Sequence, residues 1–171
     1  MTGTVLLRRL LATTLVLCAP ATELCAAATN ATGSANVILP ATVNKVKDMD
    51  FGALSVGAAA GTAVLDPNAD TLSTTGGVTA IGGLWHCAEF VGAARSSSVV
   101  NIRIPNQPIT LTRVGGTETM TVSNFTLQGQ SKRELARAQS FTFRVGGRLN
   151  VAANQAEGIY VGTFNVTVQY P

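Results

Sequence analysis

Hydrophobic and polar positions alternate along this chain with the two-residue period of a β-strand, most regularly over residues 158–171. The apolar residues of this stretch share one parity: Tyr160, Phe164, Val166, Val168 and Tyr170. The polar residues fall on the other: Thr163, Asn165, Thr167 and Gln169. Because successive side chains of a strand point to opposite faces, the pattern predicts one long strand that runs to the end of the chain.

Short runs of the same kind, separated by turn residues, predict further strands. They cover residues 36–46, 49–54, 62–65, 78–81, 87–91, 99–104, 109–114, 117–122, 125–128, 140–145 and 149–152. Gly115 and Gly116 predict a tight hairpin turn, and Gly146 and Gly147 are expected to separate two strands. Only residues 132–138 are rich in helix formers, and a helix of about two turns is marginal alone. The chain therefore predicts an all-β fold, an antiparallel β-sandwich.

The first residues have the features of a signal peptide. Arg8 and Arg9 precede an apolar run, residues 10–19, which is too short to span a bilayer and ends at Pro20. We expect residues 1–28 to be removed by cleavage after Ala27 or Ala28, with cleavage after Ala21 as the alternative. Residues 29–35 are small and polar and are predicted to form a flexible arm, followed by one domain over residues 36–171. No transmembrane segment is predicted in the mature chain.

Charge and cysteine content narrow the function classes. The 171-residue chain has a net charge of only +3, with 12% charged residues, which gives no field that would attract nucleic acid. Cleavage after residue 27 or 28 leaves Cys87 alone, and a lone cysteine is expected to be buried as an apolar residue. Cleavage after residue 21 keeps Cys25, which could then pair with Cys87.

Residues that could carry chemistry are few. His86 is the only histidine, so a histidine metal cluster or a serine triad of the usual kind is excluded. Asp48 and Asp50, like the run Asp66–Asp70, offer carboxylates but lack the glycine and glutamate of a calcium loop. We expect no catalytic, cofactor-binding or metal site, and hence no enzyme.

Two further groups have alternative interpretations. The basic residues Lys132, Arg133 and Arg137, with Arg144 or Arg148, are interpreted as a solvated face, and an anionic surface polysaccharide is the alternative ligand. Trp85 is expected to belong to the core or to plug a loop, and the alternative is a platform for a ligand.

The terminal residues resemble the last strand of bacterial chaperone–usher pilins, in which a glycine stands near the start and a tyrosine is penultimate. Gly158 and Tyr170 occupy these places. The span from about residue 37 to residue 170 resembles a bacterial family of exported β-sandwich domains of unknown function and is DUF4402-like. The pieces that carry this resemblance are residues 47–52, 88–92, 120–122 and 149–160.

The resemblance implies an immunoglobulin-like, pilin-like sandwich that is incomplete and is completed by β-strand addition. The implied docking strand, for a chaperone or a neighbouring subunit, comprises Gly158, Tyr160, Phe164, Val166, Val168 and Tyr170. Since residues 28–35 contain no bulky apolar side chain, the donor segment is expected at Val37, Leu39, Ala41 and Val43. The implied partners are a periplasmic chaperone, an usher and like subunits. The implied route is export through the inner membrane to the periplasm, then to the cell surface or a fimbrium.

Two functions are therefore compatible with the sequence. The first is a non-catalytic structural subunit of a bacterial surface fibre, a fimbria or pilus. The alternative is a self-complete secreted or periplasmic β-sandwich that binds glycans or a surface protein, through Trp85 and the loops at residues 66–77 and 92–98.

Overall fold

Strands make up all of the regular secondary structure that the computed structural model describes, which covers residues 42–94, 98–135 and 139–170. The strands are β1 (Thr42–Lys47), β2 (Ala53–Asp66), β3 (Thr71–Gly82), β4 (Ala88–Ala94), β5 (Ser98–Arg103), β6 (Ile109–Arg113), β7 (Thr119–Leu127), β8 (Lys132–Leu135), β9 (Gln139–Val151), β10 (Tyr160–Val161) and β11 (Thr167–Gln169). All pairings are antiparallel, so the predicted all-β sandwich class is confirmed. Because the described residues contain no helix, none of them forms one that could cross a membrane. The predicted signal peptide and arm lie outside the described residues.

The larger sheet is organised around β9. Its order is β1-β4-β9-β7-β6-β10, with β2 also paired to β9 and β3 paired to β2. The first half of β9 pairs with β4, and its second half pairs with β2 along the same edge. Gly146 and Gly147 lie inside β9, so the prediction that they separate two strands was wrong. A Cβ at Gly146 would overlap the carbonyl oxygen of Leu65, and the glycine therefore serves a close approach of two strands.

The smaller sheet has the order β11-β5-β8. Its strand β5 contributes Val100 and Ile102 to the first of two core clusters, and the larger sheet contributes the rest: Ala88, Phe90, Phe141, Phe143 and Val145. This first core is the apolar layer between the sheets. The second core, Ala63, Val78, Val122, Leu149 and Val151, comes from the larger sheet alone. Since a flat sheet cannot bury its own face, the larger sheet must curl around this cluster.

A bend in the β2–β3 hairpin provides part of this curvature. Val56 faces Val78, but the next regular pair is Gly61 with Gly76, so four residues of β2 bulge opposite Gly77. A Cβ at Gly77 would overlap the carbonyl oxygen of Ala59. The predicted strands 62–65 and 78–81 are thus parts of two much longer strands, and most of the predicted loop 66–77 belongs to β3.

The segment of helix formers, for which the sequence predicts at most a marginal helix, contains a strand. Residues 132–135 form β8, which pairs with β5 from Ser98↔Leu135 to Asn101↔Lys132. A helix of so few residues gains little from its own hydrogen bonds, whereas pairing with a strand that already lies on the core gains both bonds and apolar contact. By contrast, the hairpin predicted at Gly115 and Gly116 is confirmed, because β6 and β7 pair across it.

Candidate strand-docking site

The terminal segment belongs to both sheets. The sequence predicted one strand over residues 158–171, but β10 pairs with β6 and β11 pairs with β5, and residues 162–166 between them form no strand. The alternation persists across the break, because Phe164, Val166, Val168 and Tyr170 contact the first core. Their polar neighbours are exposed. The last residues therefore keep the faces that the sequence predicts, although the backbone changes sheets.

The outer edge of β11 is open in the described part of the chain. Three residues of β11 pair with β5, from Thr167↔Arg103 to Gln169↔Asn101, and β11 ends the order of the smaller sheet. Strands at a sheet edge present unpaired N–H and C=O groups that another chain can bind. The edge of β11 is therefore available for strand addition, and residues outside the described ranges are one source of such a strand.

The apolar side chains beside this edge are only half-buried. The ring of Phe164 lies edge-on to Phe90 at a centroid distance of 6.5 Å and tilted against Phe125 at 5.3 Å. The hydroxyl of Tyr170 donates to the carbonyl oxygen of Ala93 at 3.4 Å, and burial raises the pKa of Tyr170. These side chains thus contact the core on one side and solvent on the other.

A second open edge approaches from the larger sheet. In the described residues β1 pairs only with β4, where Ala93 is the partner of Thr42, so the Tyr170 contact brings the end of β11 close to β1. Val43 of β1 is half-buried on the same core. We call the set Val43, Phe164, Val166, Val168 and Tyr170 the apolar margin. It lies where the two sheets meet at the first core.

Two of the predicted docking residues lie elsewhere. Gly158 has φ +149°, a backbone conformation that favours glycine, and its Cα lies beside the side chain of Arg113. The hydroxyl of Tyr160 donates to the carbonyl oxygen of Ala156 at 2.7 Å and accepts from Nε2 of Gln155 at 2.8 Å. Gly158 and Tyr160 therefore order the turn that leads into β10, and the structure brings together only the other four docking residues.

The predicted donor segment is described at one position. Val37, Leu39 and Ala41 lie outside the described residues. Val43 lies in β1 opposite Gly92 and contacts the first core of its own chain. Phe125, which contacts Phe164, was missed as a site residue, although the alternation of Phe125 with Leu127 is a visible signal for a half-buried strand.

The residues considered for chemistry have structural roles. Nδ1 of His86 donates to the carbonyl oxygen of Asp48 at 2.8 Å, which fixes the turn after β1. Cys87 is buried, as the sequence predicts, and burial raises its pKa to about 12, so the thiol is neutral near pH 7. Its amide donates to Oδ1 of Asp70 at 3.1 Å, and this bond lowers the pKa of Asp70. In the described ranges no three His, Cys, Asp or Glu residues come close enough to hold a metal ion.

Arg133 connects the two sheets. From β8 its guanidinium donates to the carbonyl oxygens of Gln130 and Thr142, each at 3.0 Å, and to that of Gln128. The carbonyl oxygen of Arg144, next along the same edge of β9, accepts from the amide of Gln128. Arg133 therefore donates to the edge of β9 at a point that β7 no longer covers. Its guanidinium group already bonds to three carbonyl oxygens of the chain.

Large apolar residues are exposed at the β3–β4 connection. Ile81, Leu84 and Trp85 are 68%, 86% and 42% exposed, and Gly82 and Gly83 lie between them with φ +153° and +86°. Trp85 is thus not a fully buried core residue. The expected core position is therefore wrong, and the interpretation as a loop plug stays a prediction.

The chain was compared with known proteins. A family model described as "Domain of unknown function (DUF4402)" matches residues 41–170. No curated protein and no solved structure matches the chain.

Proposed function

Since the chain belongs to the DUF4402 family, whose function is unknown, we propose that it is a non-catalytic structural subunit of a bacterial surface fibre. The fibre is a fimbria or pilus, and its subunits join by β-strand addition. In this proposal the chain has an immunoglobulin-like, pilin-like sandwich and is exported through the inner membrane. A periplasmic chaperone and an usher then deliver it to the cell surface.

The observation that carries the proposal is the open edge of β11 beside the apolar margin. An edge strand bordered by half-buried Phe164, Val166, Val168 and Tyr170 offers backbone hydrogen bonds and alternating apolar contacts together. These are the two components of strand addition: the main chain supplies affinity, and alternate side chains supply specificity. A strand laid along this edge would cover apolar surface that is now in contact with water.

The donor in this proposal is the segment before β1 of the next subunit. Val37, Leu39 and Ala41 alternate in the way that a strand needs to place one face on the margin. Val43 is excluded as a free donor residue because it already pairs within its own sheet. The donor therefore ends near residue 41, one residue before β1 begins.

Export of the chain into a bacterial periplasm, with a matching chaperone, tests this proposal. We expect a ladder of oligomers that resists SDS at room temperature and collapses to monomer on boiling. Deletion of residues 29–41 removes the donor and is expected to abolish the ladder. Val168→Asn in the margin has the same expected effect, whereas Val46→Asn, at a residue of β1 that is 53% exposed, leaves the ladder intact. A purified chain that stays a stable monomer with no ladder would refute the proposal.

A self-complete module that binds a surface partner is the second candidate function. The exposed trio Ile81, Leu84 and Trp85 favours it, because contiguous exposed apolar residues mark interaction sites. Under this alternative, Leu84→Asn removes binding to the bacterial surface but has no effect on oligomers. The fibre proposal also predicts that Leu84→Asn leaves the oligomers unchanged. The two functions therefore differ in whether the SDS-resistant ladder forms at all, since only the fibre function predicts it.

A further inference from the structure

The segment before β1 joins the described fold beside the open edge of β11. Thr42, the first residue of β1, pairs with Ala93 of β4. The carbonyl oxygen of Ala93 accepts the 3.4 Å hydrogen bond from the hydroxyl of Tyr170, which directly follows β11. Only the side chain of Tyr170 and one strand pair therefore separate the start of β1 from the end of β11.

The chain before Thr42 is long enough to reach β11 of the same copy. Packed sheets lie about 10 Å apart, and each extended residue spans about 3.3 Å. The three residue steps from Thr42 back to Leu39 therefore cover the distance between the sheets. Pro40 falls within this crossing, where its missing N–H removes no bond from a strand pair. Val37 and Leu39 have one parity, which places both on the face of the apolar margin.

The direction of such a strand follows from the Tyr170 contact. The segment continues into Thr42, so its C-terminal end lies beside Tyr170, at the C-terminal end of β11. Two neighbouring strands whose C-terminal ends coincide are parallel, and a parallel pair is slightly less stable per residue than an antiparallel one. The same segment of another copy is not tied to this Thr42 and is free to pair with β11 in the antiparallel direction.

The apolar margin gives the segment a reason to bind in its own copy. Phe164, Val166 and Val168 contact the first core but are only half-buried, so an empty edge leaves apolar surface in water. A short tether gives an effective concentration on the order of millimolar at the edge. In a dilute chain the segment of the same copy therefore reaches the edge before the segment of another copy.

We propose that residues 37–39 cover the edge of β11 in their own copy, as a parallel strand that must leave before a strand from another copy binds. We call these residues the internal cap. The proposal rests on the β11 edge of the proposed fibre function and adds a control over when that edge is open. A parallel cap on a short tether suits this control, because antiparallel pairing with another copy can replace it at high local concentration.

Competition with a synthetic peptide of residues 29–41 tests the internal cap. Fluorescence anisotropy gives the Kd of the peptide for the chain that begins at residue 29 and for the chain that begins at residue 42. Since the internal cap competes for the edge, the longer chain is expected to bind the peptide about tenfold more weakly or less. The matched control is the longer chain with Val37→Asn and Leu39→Asn, which keeps its length and is expected to bind like the shorter chain.

The outcomes separate the internal cap from the fibre function. If the longer chain and its double variant bind the peptide with the same Kd, the internal cap is wrong, and the SDS-resistant ladder still decides the fibre function. If none of the three chains binds the peptide, the edge accepts no such strand, and both proposals are overturned.

A nitroxide attached at Asn36→Cys locates the cap directly in the dilute ¹⁵N-labelled chain. The buried Cys87 is expected to take no label. A parallel cap predicts line broadening over residues 166–170 that is strongest at Val166 and Thr167, because residue 36 lies farther from Tyr170 than Leu39 does. A mixture of nitroxide-labelled ¹⁴N chain and unmodified ¹⁵N chain is the control and is expected to show no broadening. Broadening in the mixture, broadening that is strongest at Tyr170, or none in either sample overturns the internal cap.

Discussion

Replacing Arg133 tests whether one side chain holds the two sheets together. Arg133→Met keeps the aliphatic stem and removes three hydrogen bonds, to the carbonyl oxygens of Gln128, Gln130 and Thr142. Net contributions of about 1 kcal/mol per bond give about 3 kcal/mol. The guanidinium also lies 5.9 Å from the ring centroid of Phe143, and this contact adds about 0.5 kcal/mol. Water can replace the bond at the exposed Gln130, which brings the expected loss in the free energy of unfolding to about 2–3 kcal/mol.

Urea unfolding followed by circular dichroism measures this loss. Arg133→Lys keeps the charge but can satisfy one carbonyl oxygen at a time, so an intermediate loss of about 1–2 kcal/mol is expected. Lys132→Met, at the neighbouring exposed residue of β8, is the matched control and is expected to change stability by less than about 0.5 kcal/mol. If Arg133→Met costs no more than Lys132→Met, Arg133 is a solvated residue and the proposed link between the sheets is wrong.

Three further predictions concern stability and reactivity. Gly77→Ala is expected to cost about 2 kcal/mol in thermal unfolding, because its Cβ would overlap the carbonyl oxygen of Ala59, whereas Gly57→Ala has ordinary space and is nearly neutral. The pKa of Asp70 is lower in the folded chain than the ordinary value of 3.8, so its contribution to stability is present above pH 3.8 and is lost as the pH falls through the lower folded value. Asp70→Asn should therefore flatten the decline of stability at acid pH. The raised pKa of Cys87 predicts that its thiol reacts with Ellman's reagent at pH 8 only after unfolding, and rapid labelling of the native chain would contradict this prediction. Because the unfolded chain loses the thiol proton first, the free energy of unfolding is expected to decline from pH 9.0 towards about 12.

The sequence was sufficient for the fold class and for the faces of the strands. Alternation identifies which side chains of residues 163–170 face the core, because the two-residue period holds even where the backbone leaves a sheet. The hairpin between β6 and β7 was also predictable, since Gly115 has φ +76°, a conformation that glycine adopts readily in a turn between neighbouring strands. These features depend on residues close together in the chain.

Features that depend on distant partners were not predictable from one sequence. Gly146 and Gly147 have the appearance of a turn, but they lie inside β9 because β7 pairs with Gly146 on one edge and β2 pairs with Gly147 on the other. Residues 132–135 have helix-forming side chains, but pairing with β5 makes them a strand. The predicted docking residues lie in two places for the same reason. Gly158 lies beside Arg113, and Tyr160 forms a hydrogen bond within a turn, and alternation alone reveals neither contact.

The central claim is that the open edge of β11 accepts a strand from before β1 of another copy. Hydrogen–deuterium exchange of residues 164–170 tests it most directly, in a chain that lacks residues 29–41 and with a synthetic peptide of those residues added. The claim predicts that exchange of this segment slows with the peptide, and that a peptide with Val37→Asn and Leu39→Asn has no effect. Unchanged exchange in the presence of the unmodified peptide would contradict the claim.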